Sequence, residues 1–478
     1  MKEIMEPWML DPDTPIYIQI SDHFKNEIGS GRLSSGSRLP SVRHLAEHLG
    51  VSMTPVEWAY RQLVAEGFIE SRPRVGYLAS EIPQPYNASA LPKISREEEA
   101  AHASRIRPER EYLYDFHLSR NDFSLFPLHT WRHLETRILK QEGERLLFYG
   151  DPQGEWGLRC EVAAYLKQYR GVVCGPEQVV IGSEQFLLMS CLAHILKPIE
   201  QHIAAENPVY PLLPGTFREL GFDVSPIPLD KDGISMSSLE ASGARLVGVS
   251  PSHHFPSTLM MPIRSRMELL AWAERKGGYI IEDDYSGEFR YFGRPIPSLQ
   301  GLGPERVVYI GGFSQTLAPA VCVHYLVLPL PLIERYKELY RRVLFEQSSS
   351  RLHQRTLEKF IAEGHLTKHI RKLRRIYKAK YEAIVQAAGQ HFGDKAEIVG
   401  EGAGFHILLR VRCAQPVSRL IAAAEQAGVH VASTAYTWLD PSEKPEGIHE
   451  IIAGFAGIPL ELIDPGMKAL REAWDPLI

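Results

Sequence analysis

Three side chains stand out for their type and for their place in the predicted elements: Asp283, Tyr285 and Gln315. Asp283 and Tyr285 follow the predicted buried strand Tyr279–Glu282, and Gln315 follows the predicted strand Val307–Ile310. An amide nitrogen is delocalised into its carbonyl and is not a nucleophile, so Gln315 cannot form a carbon–nitrogen double bond as a lysine amine does. The alternative to a binding site at Asp283 is an ordinary acidic turn at a strand end, with carboxylates that face the solvent.

A regular alternation of strands and helices, from about Tyr114 onward, would position these side chains. Amphipathic helices are predicted between the strands, as at Arg264–Lys276 and Leu332–Phe345, and residues 352–390 predict long helices. The pattern predicts an α/β body with a central, mostly parallel sheet, followed by a smaller α+β subdomain. The predicted buried strands are Val179–Ile181, Leu246–Val249, Tyr279–Glu282, Val307–Ile310 and Tyr325–Leu328.

Residues 15–80 have a different rhythm, which predicts three helices followed by a hairpin. Apolar residues recur at helical spacing from Ile16 to Ile28, and Ser41 is placed to cap a second helix. A tight turn at Gly50–Ser52 precedes a third helix that begins at about Thr54. Helix, short glycine turn and helix form the helix-turn-helix pattern, and residues 68–78 predict a two-stranded wing.

This stretch resembles the winged helix-turn-helix of GntR-family regulators. In that family the third helix enters the major groove and the wing reaches the backbone or the minor groove. The resemblance implies a DNA-binding domain at residues 12–80. The matching segments are Pro15–Ile20, Gly31–Leu33, Gly36–Arg43, Leu49–Ser52 and Tyr60–Gly67.

The resemblance also implies which side chains touch DNA, whereas taken singly the arginines could be solvated surface charges. Phosphate contacts are expected from Arg38, Ser41, Arg43, Arg72 and Arg74. Contacts to phosphates or to base edges are expected from Ser52 and Thr54.

The third helix departs from its relatives at Met53, Pro55 and Glu57, where polar or basic residues are frequent. Pro55 is tolerated in a first helical turn, and Met53 offers an apolar contact to a thymine methyl. Glu57 either accepts a hydrogen bond from a cytosine amine or faces away from the DNA. The protein sequence therefore does not specify the operator sequence.

Residues 81–112 change in character and predict a linker. Pro83, Pro85 and Pro92 precede the charged segment Ser95–His102, which predicts one helical turn within a flexible tether. The remaining residues, 113–478, form the predicted aminotransferase-like domain.

The body resembles fold-type-I aminotransferases, and behind a GntR-type head it resembles the MocR/GabR subfamily of transcription regulators. The subfamily implies a homodimer, often head-to-tail, and pyridoxal 5′-phosphate (PLP) as the effector-sensing cofactor. The segments that carry the resemblance are Phe126-Pro127, Tyr149–Gly154, Glu206–Pro211, Pro251–Pro256, Ile281–Tyr291 and Gly311–Pro319.

The resemblance assigns roles within the PLP pocket. Asp283 matches the aspartate that pairs with the pyridine nitrogen, and Tyr285 matches the tyrosine that meets the O3′ hydroxyl. Gln315 stands where the Schiff-base lysine is expected. Tyr149 belongs to another matching motif and is assigned to the same pocket.

The phosphate end of that pocket departs from the family. Cys322 stands where an arginine pairs with the phosphate, and Gly312 stands where a hydroxyl meets it. Ser183 belongs to the phosphate-cradling helix start, where Glu184 would compete with a dianion. We therefore expect no covalent cofactor and weak PLP binding or none. The alternative is that the Asp283–Tyr285 floor holds PLP, its amine form or another planar heterocycle noncovalently.

Composition is that of an ordinary globular protein, with 44% hydrophobic residues and a net charge of −5, so charge alone does not suggest DNA. The five cysteines form no CxxC pair, which fits a reducing cytosol and argues against a metal site. We expect a cytoplasmic protein, because no run approaches the ~18 apolar residues of a membrane span.

Together these patterns predict a DNA-binding transcription regulator that binds double-stranded operator DNA and has no catalytic residues. Its body would dimerise and sense a small molecule. One alternative is a PLP-dependent aminotransferase, or a PLP-responsive sensor that holds its cofactor noncovalently. Another is an architectural dimer that binds DNA without any ligand.

Overall fold

The computed structural model describes residues 11–12, 14–82, 112–118, 121–293, 296–346, 348–400 and 402–478. The charged turn predicted within the linker lies outside the described residues. The chain divides into two compact units, Met1–Arg110 and Glu111–Ile478. Each unit is described by itself.

The N-terminal unit contains the predicted winged helix-turn-helix. The oxygen of Ser41 accepts a hydrogen bond from the His44 backbone N–H and caps the second helix, whose last turn ends at Gly50 with φ +66°. Buried apolar side chains such as Phe24, Tyr60 and Leu63 join the helices to the hairpin. The elements are α1 (Ile16–Gly29), α2 (Val42–Leu49), α3 (Met53–Ala65), β1 (Ile69–Arg72) and β2 (Gly76–Ala79).

The C-terminal unit alternates strands and helices, as the sequence predicts. Its strands are β3 (Tyr114–Asp115), β4 (Val179–Gly182), β5 (His202–Asn207), β6 (Asp223–Asp230), β7 (Gly233–Ile234), β8 (Leu246–Val249), β9 (Tyr279–Asp283), β10 (Val307–Gly312), β11 (His324–Val327), β12 (Ala396–Val399), β13 (His406–Arg412), β14 (Val429–His430), β15 (Ala432–Ser433) and β16 (Ile448–Gly454). Its α-helices are α4 (Leu128–Glu142), α5 (Trp156–Arg170), α6 (Gln185–Leu196), α7 (Leu212–Glu219), α8 (Met236–Ser242), α9 (Ile263–Lys276), α10 (Leu330–Val343), α11 (Arg351–Ala362), α12 (His365–Phe392), α13 (Val417–Gln426) and α14 (Leu460–Trp474).

The central sheet is mostly parallel and has the strand order β4-β11-β10-β9-β8-β5-β6-β7. The pairs from β10 through β9, β8 and β5 to β6 are parallel, whereas β11 pairs antiparallel with both β10 and β4. The carboxyl ends of the parallel strands therefore meet at one edge, which is where ligands bind in open α/β sheets.

The last part of the chain forms the predicted α+β subdomain. Its antiparallel sheet has the order β12-β13-β16-β15, and α12 and α14 pack against it through an apolar cluster that includes Tyr377 and Trp474. The helical prediction for residues 352–390 is observed as α11 and α12, with Gly364 at φ +75° between them. Helix α10 ends before the predicted Phe345 because Leu344 adopts φ +53°.

A buried ion pair holds the segment that follows β9. The Arg170 side chain is 1% exposed, and its Nε donates to the Asp284 carboxylate at 2.6 Å. Its Nη atoms donate to the Ile296 carbonyl at 2.7 Å and to the Ser252 hydroxyl at 2.9 Å, and the Tyr309 hydroxyl donates to Asp284 at 2.6 Å. Asp284 lies between two of the candidate site residues, so this network fixes their backbone.

Replacing Arg170 by methionine should destabilise the protein by about 3–5 kcal/mol, because the Asp284 carboxylate would be buried without its partner. Urea unfolding measures the loss. The matched control is Arg264→Met, since Arg264 forms an exposed pair with Glu268, and such pairs contribute roughly 1 kcal/mol or less. Equal stability of the two variants would contradict a structural role for the buried pair.

Candidate functional site

All the side chains expected to touch DNA lie exposed on the N-terminal unit. Ser52 is the N-cap residue of α3 and makes no side-chain capping bond, whereas the Ser41 hydroxyl caps α2. The exposed residues are Arg38, Ser41, Arg43, Ser52, Thr54, Arg72 and Arg74.

Two arginines of this surface form exposed ion pairs. Arg43 pairs with Glu47 at 3.1 Å, where it is 82% exposed, and Arg72 pairs with Glu70 at 3.1 Å. Exposed pairs of this kind contribute roughly 1 kcal/mol or less, so a phosphate can replace the carboxylate. Arg38 pairs with Leu78 of β2 in a backbone bridge.

Helix α3 also carries two exposed apolar side chains, Met53 at 51% and Trp58 at 55%. Trp58 packs edge-on against Tyr17 of α1, with ring centroids 6.0 Å apart. Trp58 was not predicted from the sequence as part of this surface, although a tryptophan at an exposed position of the third helix is a detectable signal.

A cavity of about 740 Å³ opens at the carboxyl edge of the central sheet. The ends of β5, β8, β9 and β10 line it together with the start of α6 and several loops. The cavity brings together most of the predicted pocket residues: Ser183, Asp283, Tyr285, Gln315 and Cys322.

Asp283 is the last residue of β9, and its Oδ1 accepts a hydrogen bond from the Gln185 Nε2 at 3.1 Å. Burial and the neighbouring Asp284 raise the pKa of Asp283 to about 7. Glu206, at the end of the β5 region, accepts from the Ser250 backbone N–H at 2.9 Å, and burial raises its pKa to about 8. Asp283 therefore gives the cavity lining a carboxyl group whose protonated form is favoured by burial.

The Tyr285 hydroxyl shares a hydrogen bond with the His253 Nδ1 at 2.9 Å. Burial lowers the pKa of His253 to about 3, so its imidazole is neutral at physiological pH. Burial raises the pKa of Tyr285, so its phenol keeps its proton. The pair orients the phenol at the cavity wall without adding a charge to it.

Gln315 lies within the cavity lining, and its Oε1 accepts from the Asn121 Nδ2 at 3.3 Å. The same Nδ2 lies 3.4 Å from the Ser314 carbonyl. Asn121 is buried. It was not predicted from the sequence as a site residue, because Asn121 and Gln315 are far apart in the chain. The amide of Gln315 is thus a positioned polar group and not a loose surface side chain.

The end of the cavity next to α6 holds an imidazole. A Cβ atom on Gly312 would lie 2.2 Å from the His324 Cδ2, so His324 fills the space where a hydroxyl-bearing side chain would stand. Its Nδ1 bonds the Ser183 carbonyl at 3.1 Å, and burial lowers its pKa. Cys322, in the left-handed conformation at φ +52°, completes this end.

Two residues with an expected pocket role lie elsewhere. Tyr149 is 81% exposed and is not part of the cavity lining. His449 stands about where the aminotransferase resemblance places an arginine for the substrate carboxylate. It lies in β16, and its Nε2 bonds the Gln415 carbonyl at 2.7 Å. Neither contributes to the cavity of this chain.

The fold and the cavity define a helix-turn-helix module joined to an aminotransferase-type body. The family model for bacterial regulatory proteins of the gntR family matches residues 16–78, and the model for class I and II aminotransferases matches residues 114–439. The kynurenine aminotransferase of Pyrococcus horikoshii superposes with a TM-score of 0.68 at 20% identity, over 81% of this chain and 96% of that one. That likeness shows a fold associated with PLP.

Relatives match along nearly the whole length. YdeL of Bacillus subtilis (strain 168), named as an HTH-type transcriptional regulator, is 37% identical over 465 residues, or 97% of each chain. The probable rhizopine catabolism regulatory protein MocR of Rhizobium meliloti is 31% identical over 97% of this chain and 94% of that one. The chain belongs to the MocR/GabR subfamily of GntR-family regulators, and it is a DNA-binding transcriptional regulator with an aminotransferase-like domain.

Two absences hold for the residues that the structure describes. No helix within them is long and apolar enough to cross a membrane. Within the same residues, no group of three or more His, Cys, Asp and Glu side chains is arranged to hold a metal ion.

Stability should fall as pH rises from 6.5 to 8, because burial raises the pKa to about 8 for Glu206 and to about 7 for Glu282 and Asp283. In this window the unfolded chain has already released these protons, whereas the folded chain releases them only as pH passes about 7 for Glu282 and Asp283 and about 8 for Glu206. The stabilisation by these protonated carboxyl groups is complete below their pKa values in the unfolded chain. It is lost as pH rises through their pKa values in the folded chain. Urea midpoints measured across the window check this decline.

Glu206→Gln should make the fall of stability between pH 6.5 and 8 less steep, because an amide does not titrate. Glu338→Gln is the control, because Glu338 is an exposed glutamate of α10. A slope that is the same in wild type and in Glu206→Gln would contradict the buried, protonated state of Glu206.

Proposed function

We propose that the aminotransferase-like body of this regulator dimerises and senses a small molecule noncovalently, without a Schiff-base cofactor and without transaminase activity. The observation that carries the proposal is the amide of Gln315, held in the cavity wall by Asn121. A lysine amine is the group that captures the PLP aldehyde in this fold. Among the described residues, no lysine lines the cavity.

The residues present also fit the PLP phosphate poorly. Neither arginine nor lysine occurs among the described lining residues, and Cys322 and His324 occupy the end where the phosphate would lie. Glu184 is the N-cap residue of α6, so the helix terminus that would attract a dianion already has a carboxylate beside it. Losing a buried charge pair costs about 2–5 kcal/mol, which is enough to make binding weak.

A small-molecule role rests on the cavity itself. Its volume of about 740 Å³ lies within the usual range for ligand sites, and its polar groups converge on one apolar-walled space. In a head-to-tail dimer of the subfamily type, an effector that prefers one dimer geometry would shift the half-site spacing that the two DNA-binding heads can span.

The first test looks for a covalent adduct. Full-length protein incubated with PLP and reduced with borohydride should gain no pyridoxyl group at a cavity residue, and it should not transfer amino groups between amino and keto acids. The Gln315→Lys variant, treated in the same way, is the control that an amine at this position is detectable. A pyridoxyl adduct mapped to a wild-type cavity residue, or turnover proportional to protein, would refute the proposal.

The second test concerns DNA. Arg43→Ala should weaken binding to every duplex and lower the salt slope of log K by about one. Arg264→Ala is the matched control, because Arg264 forms the same kind of i,i+4 pair on the body as Arg43 forms on the head. Identical salt slopes for Arg43→Ala and wild type would remove Arg43 from the DNA interface.

A companion variant, Thr54→Ala, should relax the preference at one base position if Thr54 reads a base edge. Binding to a panel of single-base operator variants provides the measurement. A uniform loss on all operator variants would instead make Thr54 a phosphate contact.

A further inference from the structure

We propose that a stack of three rings couples occupancy of the cavity to the point where the chain enters the body. The rings are those of Tyr112, His430 and His117. The inference rests on the proposed function, because it names the connection through which a cavity-bound effector acts on the DNA-binding head. An occupant that contacts His117 holds the rings together and so restrains the first residues of the body.

The entry of the chain into the body lies close in sequence to the cavity. The second compact unit begins at Glu111, and His117 and Leu118 already line the cavity. Shortly after them, the Asn121 amide donates to the Gln315 Oε1 at 3.3 Å. His117 and Leu118 are half-buried, so a ligand that covers them contacts the same short segment through which the head is attached.

Strand pairing brings the rings together. β3 lies parallel to β14, with Asp115 opposite His430. The Tyr112 ring stacks on the His430 imidazole with centroids 4.2 Å apart and planes at 15°, and His117 stacks on that imidazole at 4.6 Å and 15°. The Asp115 Oδ1 accepts hydrogen bonds from the His430 Nδ1 and from the His117 backbone N–H, both at 3.0 Å. One carboxylate oxygen therefore positions both histidines of the stack.

The backbone between the rings is fixed, so the connection runs through the side chains. Phe116 is fully buried, and its carbonyl accepts from the Gly454 N–H at 2.7 Å. A Cβ atom on Gly466 of α14 would lie 2.7 Å from the Phe116 ring, so this helix packs directly on the ring. A displacement of the His117 backbone is stopped at Phe116, whereas the stacked imidazoles bypass this residue and reach Tyr112.

The two ends of the stack belong to different parts of the body. His117 lines the cavity, whereas Tyr112 is not among the described lining residues, so a substitution of Tyr112 leaves the cavity wall intact. An occupant of the cavity shifts the entry segment toward the stacked arrangement only if it binds that arrangement more tightly than the unstacked one. The resulting coupling is reciprocal, so events at the DNA-binding head also change the affinity of the cavity.

The experiment introduces the occupant covalently, so it does not depend on the identity of the effector. Cys322 is an exposed lining residue, and N-phenylmaleimide attached to its thiol adds an aromatic group at the cavity. Burial raises the pKa of Cys174 to about 11 and that of Cys191 to about 12, so these thiols react slowly. Full-length Cys322→Ser protein treated with the same reagent is the control for labelling elsewhere, and mass spectrometry maps the adduct.

The first readout is hydrogen exchange over residues 112–118, measured by mass spectrometry. Labelling of Cys322 should slow exchange in this segment at least about fivefold, since couplings between sites commonly exceed this factor. Tyr112→Leu keeps an apolar side chain but removes the stacking ring, so it should abolish the effect. Tyr340→Leu is the matched control and should retain it, because Tyr340 is a half-buried tyrosine that packs against Phe345 of the same region.

The second readout is the affinity for a duplex that the wild-type protein selects from a random pool, measured by fluorescence anisotropy. Labelling should change this affinity at least about fivefold in the wild type and in Tyr340→Leu, but less than about twofold in Tyr112→Leu. Thermal melting of each variant verifies that it folds.

The contradicting outcomes separate this inference from the proposed function. Exchange over residues 112–118 that labelling leaves unchanged, or a slowed exchange with unchanged DNA affinity, overturns the inference. An equal effect of labelling on wild type and Tyr112→Leu also overturns it, but that result leaves effector sensing in place and assigns it to another route. A borohydride-trapped PLP adduct at a wild-type cavity residue overturns the proposed function instead.

Discussion

The buried ion pair between Arg170 and Asp284 is the interaction on which the rest of the site depends. It anchors the turn after β9 from beneath, and so it sets the directions in which Asp283 and Tyr285 leave the sheet. The guanidinium of Arg170 is engaged in this pair and has a structural role. Among the described residues, neither a lysine nor an arginine lines the cavity above it.

The function that we propose separates the shape of an aminotransferase from its chemistry. The sheet, the strand order and the ligand cavity at the carboxyl edge are retained. In the proposed function, the amide of Gln315 stands where an aminotransferase carries its lysine amine, and His324 and Cys322 occupy the end where the phosphate would bind. A body that works in this way would change its geometry when it binds a ligand, and the DNA-binding head would convert that change into a change of operator affinity.

Local patterns made most of the fold predictable. The strand-helix alternation gave the parallel sheet, because buried parallel strands are short apolar runs bounded by turns. The helix-turn-helix was equally readable, since its capping serine and its turn glycine have local physical causes. The ends of helices were predicted less accurately. The left-handed backbone of Leu344 ends α10, and an apolar residue does not indicate such a conformation in the sequence.

The site was predictable only in part, for a physical reason. Asp283, Tyr285 and Gln315 follow predicted strands and were assigned to the pocket by motif resemblance, and all three line the cavity. Their partners were not found, because the hydrogen bonds from Gln185 to Asp283 and from Asn121 to Gln315 join distant parts of the chain. Tyr149 shows the converse: a motif resemblance assigned it to the pocket, but its side chain lies outside the cavity of this chain.

The most direct test of the account is the exchange of the alanine Cα hydrogen in heavy water, followed by proton NMR in the presence of the full-length protein and PLP. This exchange detects even the first step of amino-acid activation, whether or not a complete transamination follows. The account predicts the rate of free PLP alone, independent of the protein concentration. An exchange rate that rises in proportion to the protein would show that the cavity still performs cofactor chemistry, and it would contradict the central claim.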